Sequence, residues 1–236
     1  MTADGWTSAV RHQLGLGRLL PLGGPRDGAW ITEEAAEAAL RRAVRGVGGV
    51  RLGALRLGPA DPEGAYEPVV PAPPSAPAPG PLRVTAECAA ATSEPLPTAA
   101  ARLRSALVTA ATERLGLVVT EVDVRVTDLL DEDPPAPRPE QPAAPLPGGP
   151  ALAGDEAFVA AAALSVPGVT GTSAVRLEDL DERQDATATL PRRHARVEIA
   201  VGVAHRAVEV ARAVRGVVSE TLPDHPTVAV LVTAVG

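Results

Sequence analysis

A chain of 236 residues with 45% hydrophobic content can bury a substantial core, which excludes a protein that is disordered throughout, and this length favours two small domains. The net charge of −7 argues against a nucleic-acid-binding protein, because such proteins neutralise phosphates with clustered basic side chains. The single cysteine, Cys88, excludes an internal disulfide and a cysteine-rich metal site.

The N-terminal segment, residues 1–28, is predicted to contain a short amphipathic helix and a flexible connector. Trp6, Val10 and Leu14 occur at i, i+4 and i+8, which places them on one side of that helix. We expect this stripe to dock on the protein's own core; the alternative is contact with a partner protein or a membrane surface. The glycine-rich run 15–24 lacks the GK[ST] ending of a phosphate-binding loop, so the connector is not expected to bind a nucleotide.

The first module, residues 29–133, is predicted to contain helix, strand, strand, helix and strand in that order. Its first helix ends near Gly49, where glycine suits a left-handed cap, and a short apolar run, Leu52–Leu57, follows. An alternating strand then carries Cys88 on its inward face. An amphipathic helix and a closing strand, Val122–Leu129, complete the module.

Two proline-rich segments interrupt the chain, at residues 59–81 inside the first module and at residues 134–153 between the modules. Proline lacks a backbone donor and fixes φ, so both segments are predicted to be extended, poorly packed spacers.

The second module, residues 154–236, repeats the order of the first. Gly168 takes the place of Gly49, Val201 is aligned with Cys88, and the closing strand is Val228–Val235. The second helices align position for position, with the apolar residues Leu103, Ala106, Leu107, Ala110, Ala111 and Leu115 matching Val210, Ala213, Val214, Val217, Val218 and Leu222. The sequence therefore predicts an α+β fold of two tandem copies, each a small sheet with helices packed on one face, and the closing strands are candidates to pair with each other.

The matched stretches resemble the alkaline-shock-protein family of envelope stress response proteins. The resemblance lies in Val47–Val50, Arg102–Leu117, Glu121–Asp128, Val166–Val169, Arg196–Val203, Val208–Leu222 and Val228–Val235, and Glu113–Leu129 is the most similar segment, with Asp123 where the family commonly has Asn. It implies a small, non-enzymatic cytoplasmic protein that can lie beneath the membrane through a membrane-anchored partner. The whole chain also resembles actinobacterial proteins labelled the nucleopolyhedrovirus P-ten family, although sustained coiled-coil heptads are lacking.

No catalytic, cofactor or metal site is predicted from the remaining polar residues. The four histidines, His12, His194, His205 and His225, lack the i, i+3 or i+4 spacing of helix-borne metal ligands and are expected at the surface or in loops. The acidic loop 178–185 lacks the ligand pattern of a calcium loop, and no base is placed beside Ser165 or Ser173. Cys88 is expected to be a structural core residue.

These observations favour an accessory or scaffolding protein, not an enzyme, acting through protein–protein contacts. The expected partners are a single-module relative or a membrane-anchored protein, with self-association as a further option, and neither nucleic acid nor a cofactor is expected. No membrane span is predicted, because the uncharged run Phe158–Val175 is interrupted by Pro167 and Gly168, so the chain is expected in the cytoplasm. The resemblance implies in addition that the chain can lie peripherally at the inner face of the membrane through a partner. The alternative is a small-ligand-binding or regulatory module with a cleft between the two copies.

Overall fold

The computed structural model describes residues 15–61, 63–131, 152–180 and 193–236, which form an α+β protein with two sheets. The strands of these residues are β1 (Leu19–Pro21), β2 (Ala29–Thr32), β3 (Val50–Pro59), β4 (Leu82–Ala91), β5 (Val119–Leu130), β6 (Val169–Asp179), β7 (Arg193–Val201) and β8 (Thr227–Val235). The helices are α1 (Glu33–Val44), α2 (Leu96–Thr109), α3 (Asp155–Leu164) and α4 (Ala207–Thr221), and a π-helical turn, Ala110–Leu115, continues α2. Among the described residues, no helix is both long and apolar enough to cross a membrane.

Helix α1 begins at Glu33 and is capped by Thr32, whose hydroxyl oxygen accepts a hydrogen bond from the backbone N–H of Ala35 at 3.2 Å. Two glutamates in its first turn and two arginines in its last turn complement the helix dipole. One of these arginines, Arg42, donates to the carbonyl oxygen of Val235 at 2.9 Å. Helix α1 packs against both β3 and β8, so it joins the two sheets in one core.

The two sheets share the same central connectivity. In the first sheet, β4 pairs antiparallel with β3 and parallel with β5; in the second, β7 pairs antiparallel with β6 and parallel with β8. The second sheet is extended by β2, which lies parallel to β8, and by β1, which lies antiparallel to β2. The N-terminal segment that was predicted to be a flexible connector therefore supplies β1, a buried edge strand of the second sheet.

Helix, strand, strand, helix and strand thus follow one another twice along the chain, and several local contacts repeat. Gly49 and Gly168 both have positive φ, and their carbonyl oxygens accept from Ala91 at 2.8 Å and from Gly202 at 2.9 Å. The hydroxyl of Thr127 donates to the carbonyl of Cys88 at 3.4 Å, as the hydroxyl of Thr233 does to Ile199 at 3.2 Å.

These contacts place Cys88 at the position that Ile199 occupies in the second half. The predicted alignment of Cys88 with Val201 was therefore wrong by two residues, which is one inward-facing position along a strand. Common descent of the two halves from one duplicated module remains a prediction.

The matched faces of the second helices are buried unequally. Leu103, Leu107 and Leu115 are fully buried, as are Val214 and Val218. Ala213 and Val217, by contrast, are exposed, so their assignment to the buried face was wrong. The buried face of α4 also includes Ala207, Val208 and Ala211, so it is rotated about the helix axis relative to the face that the sequence alignment predicted.

The proline-rich segment 59–81 is packed against the second sheet, which contradicts the prediction of a poorly packed spacer. Val70 is buried with Trp30, and the indole Nε1–H of Trp30 donates to the carbonyl oxygen of Pro77 at 3.1 Å. A second hydrophobic cluster lies between the second sheet and this segment, and it consists of Leu19, Trp30, Val70, Ala229 and Leu231. The second proline-rich segment falls outside the described residues except for Leu152 and Ala153.

The two halves are packed directly on each other. Gly116 ends the π-helical turn with φ 86°, and its α-carbon faces Val208 at the start of α4. The guanidinium of Arg206 donates to the carbonyl oxygen of Thr112 at 2.9 and 3.2 Å. The buried side chains of both halves consequently belong to one hydrophobic cluster.

Candidate interaction edge

Strand β5 is the last strand of the first sheet and pairs with β4 alone among the described strands. Strand β8 holds the same place in the second half, but its outer edge is filled by β2 through Ala29, Trp30 and Ile31. The predicted pairing of Val122–Leu129 with Val228–Val235 is therefore wrong, because β8 is an inner strand. In the first half, by contrast, no strand among the described residues fills the outer edge of β5.

Peptide groups along β5 point alternately toward β4 and toward the open edge. The carbonyl oxygen of Val118 accepts from Leu82 in β4 at 2.8 Å, whereas that of Val122, beyond a bulge in the pairing, accepts from the Nε–H of Arg104 on α2 at 3.0 Å. The alternation therefore directs the peptide groups of Val122, Val124 and Val126 to the edge. These are the donors and acceptors that an added strand would use.

Side chains of β5 alternate between an apolar inner face and a charged outer face. Val122, Val124 and Val126 face the core beneath α2 but are only partly buried, and none of the strands in the described ranges covers their outer flank. On the other face Glu121, Asp123 and Arg125 are exposed. Arg83 of β4 donates to Glu121 at 2.6 Å and lies 3.9 Å from Asp123.

A second exposed region lies along β6, which is the opposite edge of the second sheet. Phe158 and Leu164 of α3 are 65% and 51% exposed beside it. A cavity of about 330 Å³ there includes Thr172, whose hydroxyl oxygen is buried without a hydrogen-bond partner.

Two open cavities border the proline-rich segment 59–81. One, of about 480 Å³, lies between this segment and α4 and contains Arg212, Arg215 and His225. The other, of about 380 Å³, lies between the segment and β1. The first cavity joins residues of both halves, as the alternative ligand-binding hypothesis requires, but Arg212 is already engaged by a carboxylate, Asp27.

The predicted partner-contact residues Trp6, Val10 and Leu14 lie outside the described residues, as does His12. His194 is buried, which corrects its assignment to the surface, and its Nδ1 lies 2.9 Å from the hydroxyl of Thr227. Burial lowers the pKa of this imidazole.

Cys88 is buried as expected, and desolvation raises the pKa of its thiol. Ser165 and Ser173 make local contacts. The hydroxyl of Ser165 donates to the carbonyl oxygen of Ala162 at 2.7 Å, and the hydroxyl of Ser173 donates to the buried carboxylate of Glu198 at 3.2 Å. In the described part of the chain no three His, Cys, Asp or Glu residues are grouped so that they could hold a metal ion.

Comparison with known proteins gives no assignment: no family model matches the chain, and no curated protein matches its sequence.

Proposed function

We propose that this chain is a non-enzymatic scaffolding protein that binds other protein chains by accepting a β-strand along the edge of β5. The observation that supports the proposal is the asymmetry between the two halves, since β8 accepts β2 at the edge that β5 leaves open. The second half thus contains a strand, in parallel pairing, at the edge where the first half is proposed to bind a strand of a partner.

Strand addition suits this edge for physical reasons. An added strand gains backbone hydrogen bonds from the peptide groups of Val122, Val124 and Val126, and specificity from alternate side chains. It also shields the partly exposed valines of the inner face, and burial of apolar surface contributes roughly 25 cal/mol per Å². Charged side chains on an edge limit nonspecific aggregation, so the partner must complement them.

The resemblance to the alkaline-shock-protein family is part of this proposal. It suggests a cytoplasmic site of action and a partner that is either a single-module relative or a membrane-anchored protein. In either case the first contact is expected at β5.

The proposal can be tested by site-specific photo-crosslinking of the full chain in its native cells. A photoreactive residue replacing Glu121 on β5 should form covalent adducts with other polypeptides, whereas one replacing Arg56, on the same face of the far strand β3, should not. Val124→Pro removes an edge-facing N–H and should abolish the adducts, because proline cannot donate to an added strand.

Circular dichroism must show that the Val124→Pro variant stays folded. Equal adducts at both positions, or adducts that survive the substitution, would contradict the proposal.

A further inference from the structure

We infer that the β5 edge accepts a second copy of this chain, in antiparallel pairing centred on Val124. The inference rests on the proposed function, in which β5 accepts a strand, and it names the strand that is accepted: β5 of the second copy. The product would be one continuous sheet with the order β3-β4-β5-β5-β4-β3. Its two halves would be related by a two-fold axis perpendicular to the sheet.

Backbone geometry allows this pairing. In an antiparallel ladder the two residues of a hydrogen-bonded pair direct both the backbone N–H and the backbone C=O toward each other. With the axis at Val124, the Val124 residues of the two copies lie opposite each other, and Val122 of each copy lies opposite Val126 of the other. These three valines are the residues whose peptide groups point to the open edge. The non-hydrogen-bonded pairs between them contain Asp123 and Arg125.

Charge then selects the register. With the axis at Val124, Asp123 of each copy lies opposite Arg125 of the other, which makes two complementary cross-strand pairs. An axis at Asp123 would bring two aspartates face to face, and an axis at Arg125 would do the same with two arginines. Both alternatives are opposed by repulsion between like charges, so the sequence VDVRV is self-complementary in one register.

The apolar inner face is continuous across the proposed junction. A two-fold axis perpendicular to the sheet keeps both inner faces on the same side, so the valines of the two copies form one layer beneath the two α2 helices. Val108 of α2 is 37% exposed and lies one helical turn from Arg104, on the side that faces the β5 edge. Its side chain would extend the apolar contact.

Two features limit the strength of this dimer. Arg104 occupies the carbonyl oxygen of Val122 and must share or release it when Val126 of the second copy donates there. A single pair of strands also buries less area than the roughly 1,200–2,000 Å² of a stable interface. The dimer is therefore expected to be weak and dependent on concentration.

Sedimentation velocity of the purified full chain over a concentration series tests the inference through a charge swap. Asp123→Arg and Arg125→Asp each place like charges face to face twice and should weaken dimerisation about tenfold. The double variant Asp123→Arg/Arg125→Asp restores opposite charges across the axis and should regain self-association. Arg56→Glu, on the far edge strand, should leave dimerisation unchanged, and melting temperatures identify any variant that is merely destabilised.

Three outcomes would overturn the inference: a chain that stays monomeric throughout the series, a double variant that dimerises no better than the single ones, or loss of the dimer in Arg56→Glu. If the chain is monomeric but crosslinks from position 121 still reach other proteins and are lost in Val124→Pro, the strand-accepting function survives and only the identity of the partner is wrong. If those crosslinks are also lacking, both proposals fail.

Discussion

Asp27 accepts two hydrogen bonds from the guanidinium of Arg212, at 2.8 Å from Nε and 2.9 Å from Nη2. The same carboxylate accepts from the backbone N–H of Gly24 at 2.7 Å, and its side chain is only 14% exposed. This pair ties the turn before β2 to α4, so it holds the N-terminal strands in place on the second sheet. The hydrogen bond from Arg212 is the main reason that the pKa of Asp27 is lowered.

Removing this carboxylate should destabilise the fold. We expect Asp27→Ala to lower the free energy of unfolding by about 1–3 kcal/mol near neutral pH, since hydrogen bonds to a charged group are lost. The pKa of Asp27 is lower in the folded chain than in the unfolded one, so its contribution is complete above about pH 4 and is lost as the pH falls through the folded pKa. Urea denaturation at several pH values measures both effects. Glu121→Ala, which removes an exposed ion pair, is the control and should cost less than about 1 kcal/mol.

Two glycine-to-alanine substitutions should change the stability of the fold in opposite directions. At Gly116, φ is 86° and a new Cβ would lie 2.6 Å from the Cβ of Val208, so alanine introduces backbone strain and a clash between the two halves. At Gly216, in α4, an added Cβ meets nothing within 4 Å, and alanine should stabilise the helix by about 0.5–1 kcal/mol. Thermal denaturation of both variants checks the prediction. A neutral Gly116→Ala would show that the junction with Val208 is loosely packed.

The adjacent residues Val69 and Val70 test whether the proline-rich segment is a structural layer. Val70 is 4% exposed and packs in the cluster with Trp30, whereas Val69 is 55% exposed. Val70→Ala should cost about 2 kcal/mol, from lost burial and a residual cavity, and should accelerate proteolysis within residues 63–81. Val69→Ala should change neither quantity appreciably. Equal protease sensitivity in the two variants would contradict the packed arrangement.

Buried His194 should make stability depend on pH in the weakly acidic range. Its pKa is lowered in the folded chain by desolvation, so unfolding takes up a proton below the unfolded pKa of about 6.5. The free energy of unfolding should therefore be highest above that value and fall as the pH falls through the folded pKa of His194. His194→Gln keeps a hydrogen-bonding group near Thr227 but does not titrate, so its stability curve should be flatter across this interval. Identical stability curves for the two proteins would show that His194 is not the source of this pH dependence.

The order of the long elements could be predicted because each carries a periodic pattern. Strand β4 alternates between apolar and polar residues around Val84 and Ala86, and α2 repeats leucine at Leu103 and Leu107 with helical spacing. Such patterns show that a helix has a buried face but do not fix the orientation of that face, which is why Ala213 and Val217 were placed on the buried side of α4 in place of Ala207 and Ala211. The open edge at β5 could not be predicted from the sequence, because an edge is defined by the order of the strands in the sheet. The alternating charges of Asp123 and Arg125, by contrast, are visible in the sequence.

The N-terminal strands and the packed proline-rich segment could not be predicted for a different reason. Strands β1 and β2 contain three and four residues, too few for a period to emerge, and they follow a glycine-rich run that suggests a loop. Proline content predicts an extended chain but not the surface on which that chain lies. The contact between Trp30 and Pro77 connects residues 47 positions apart, and no local pattern encodes it.

The pairing of β2 with β8 has a consequence for the order of folding. The contact between Thr32 and Thr233 spans 201 positions, and every residue between them must be synthesised before it can form. During translation the first three-stranded sheet can assemble before β8 is available to pair with β2, so the edge of β2 that faces β8 is exposed during this interval. Closure of the second sheet is thus a late, high-contact-order event, and the interval before it is when a nascent chain would most need a chaperone.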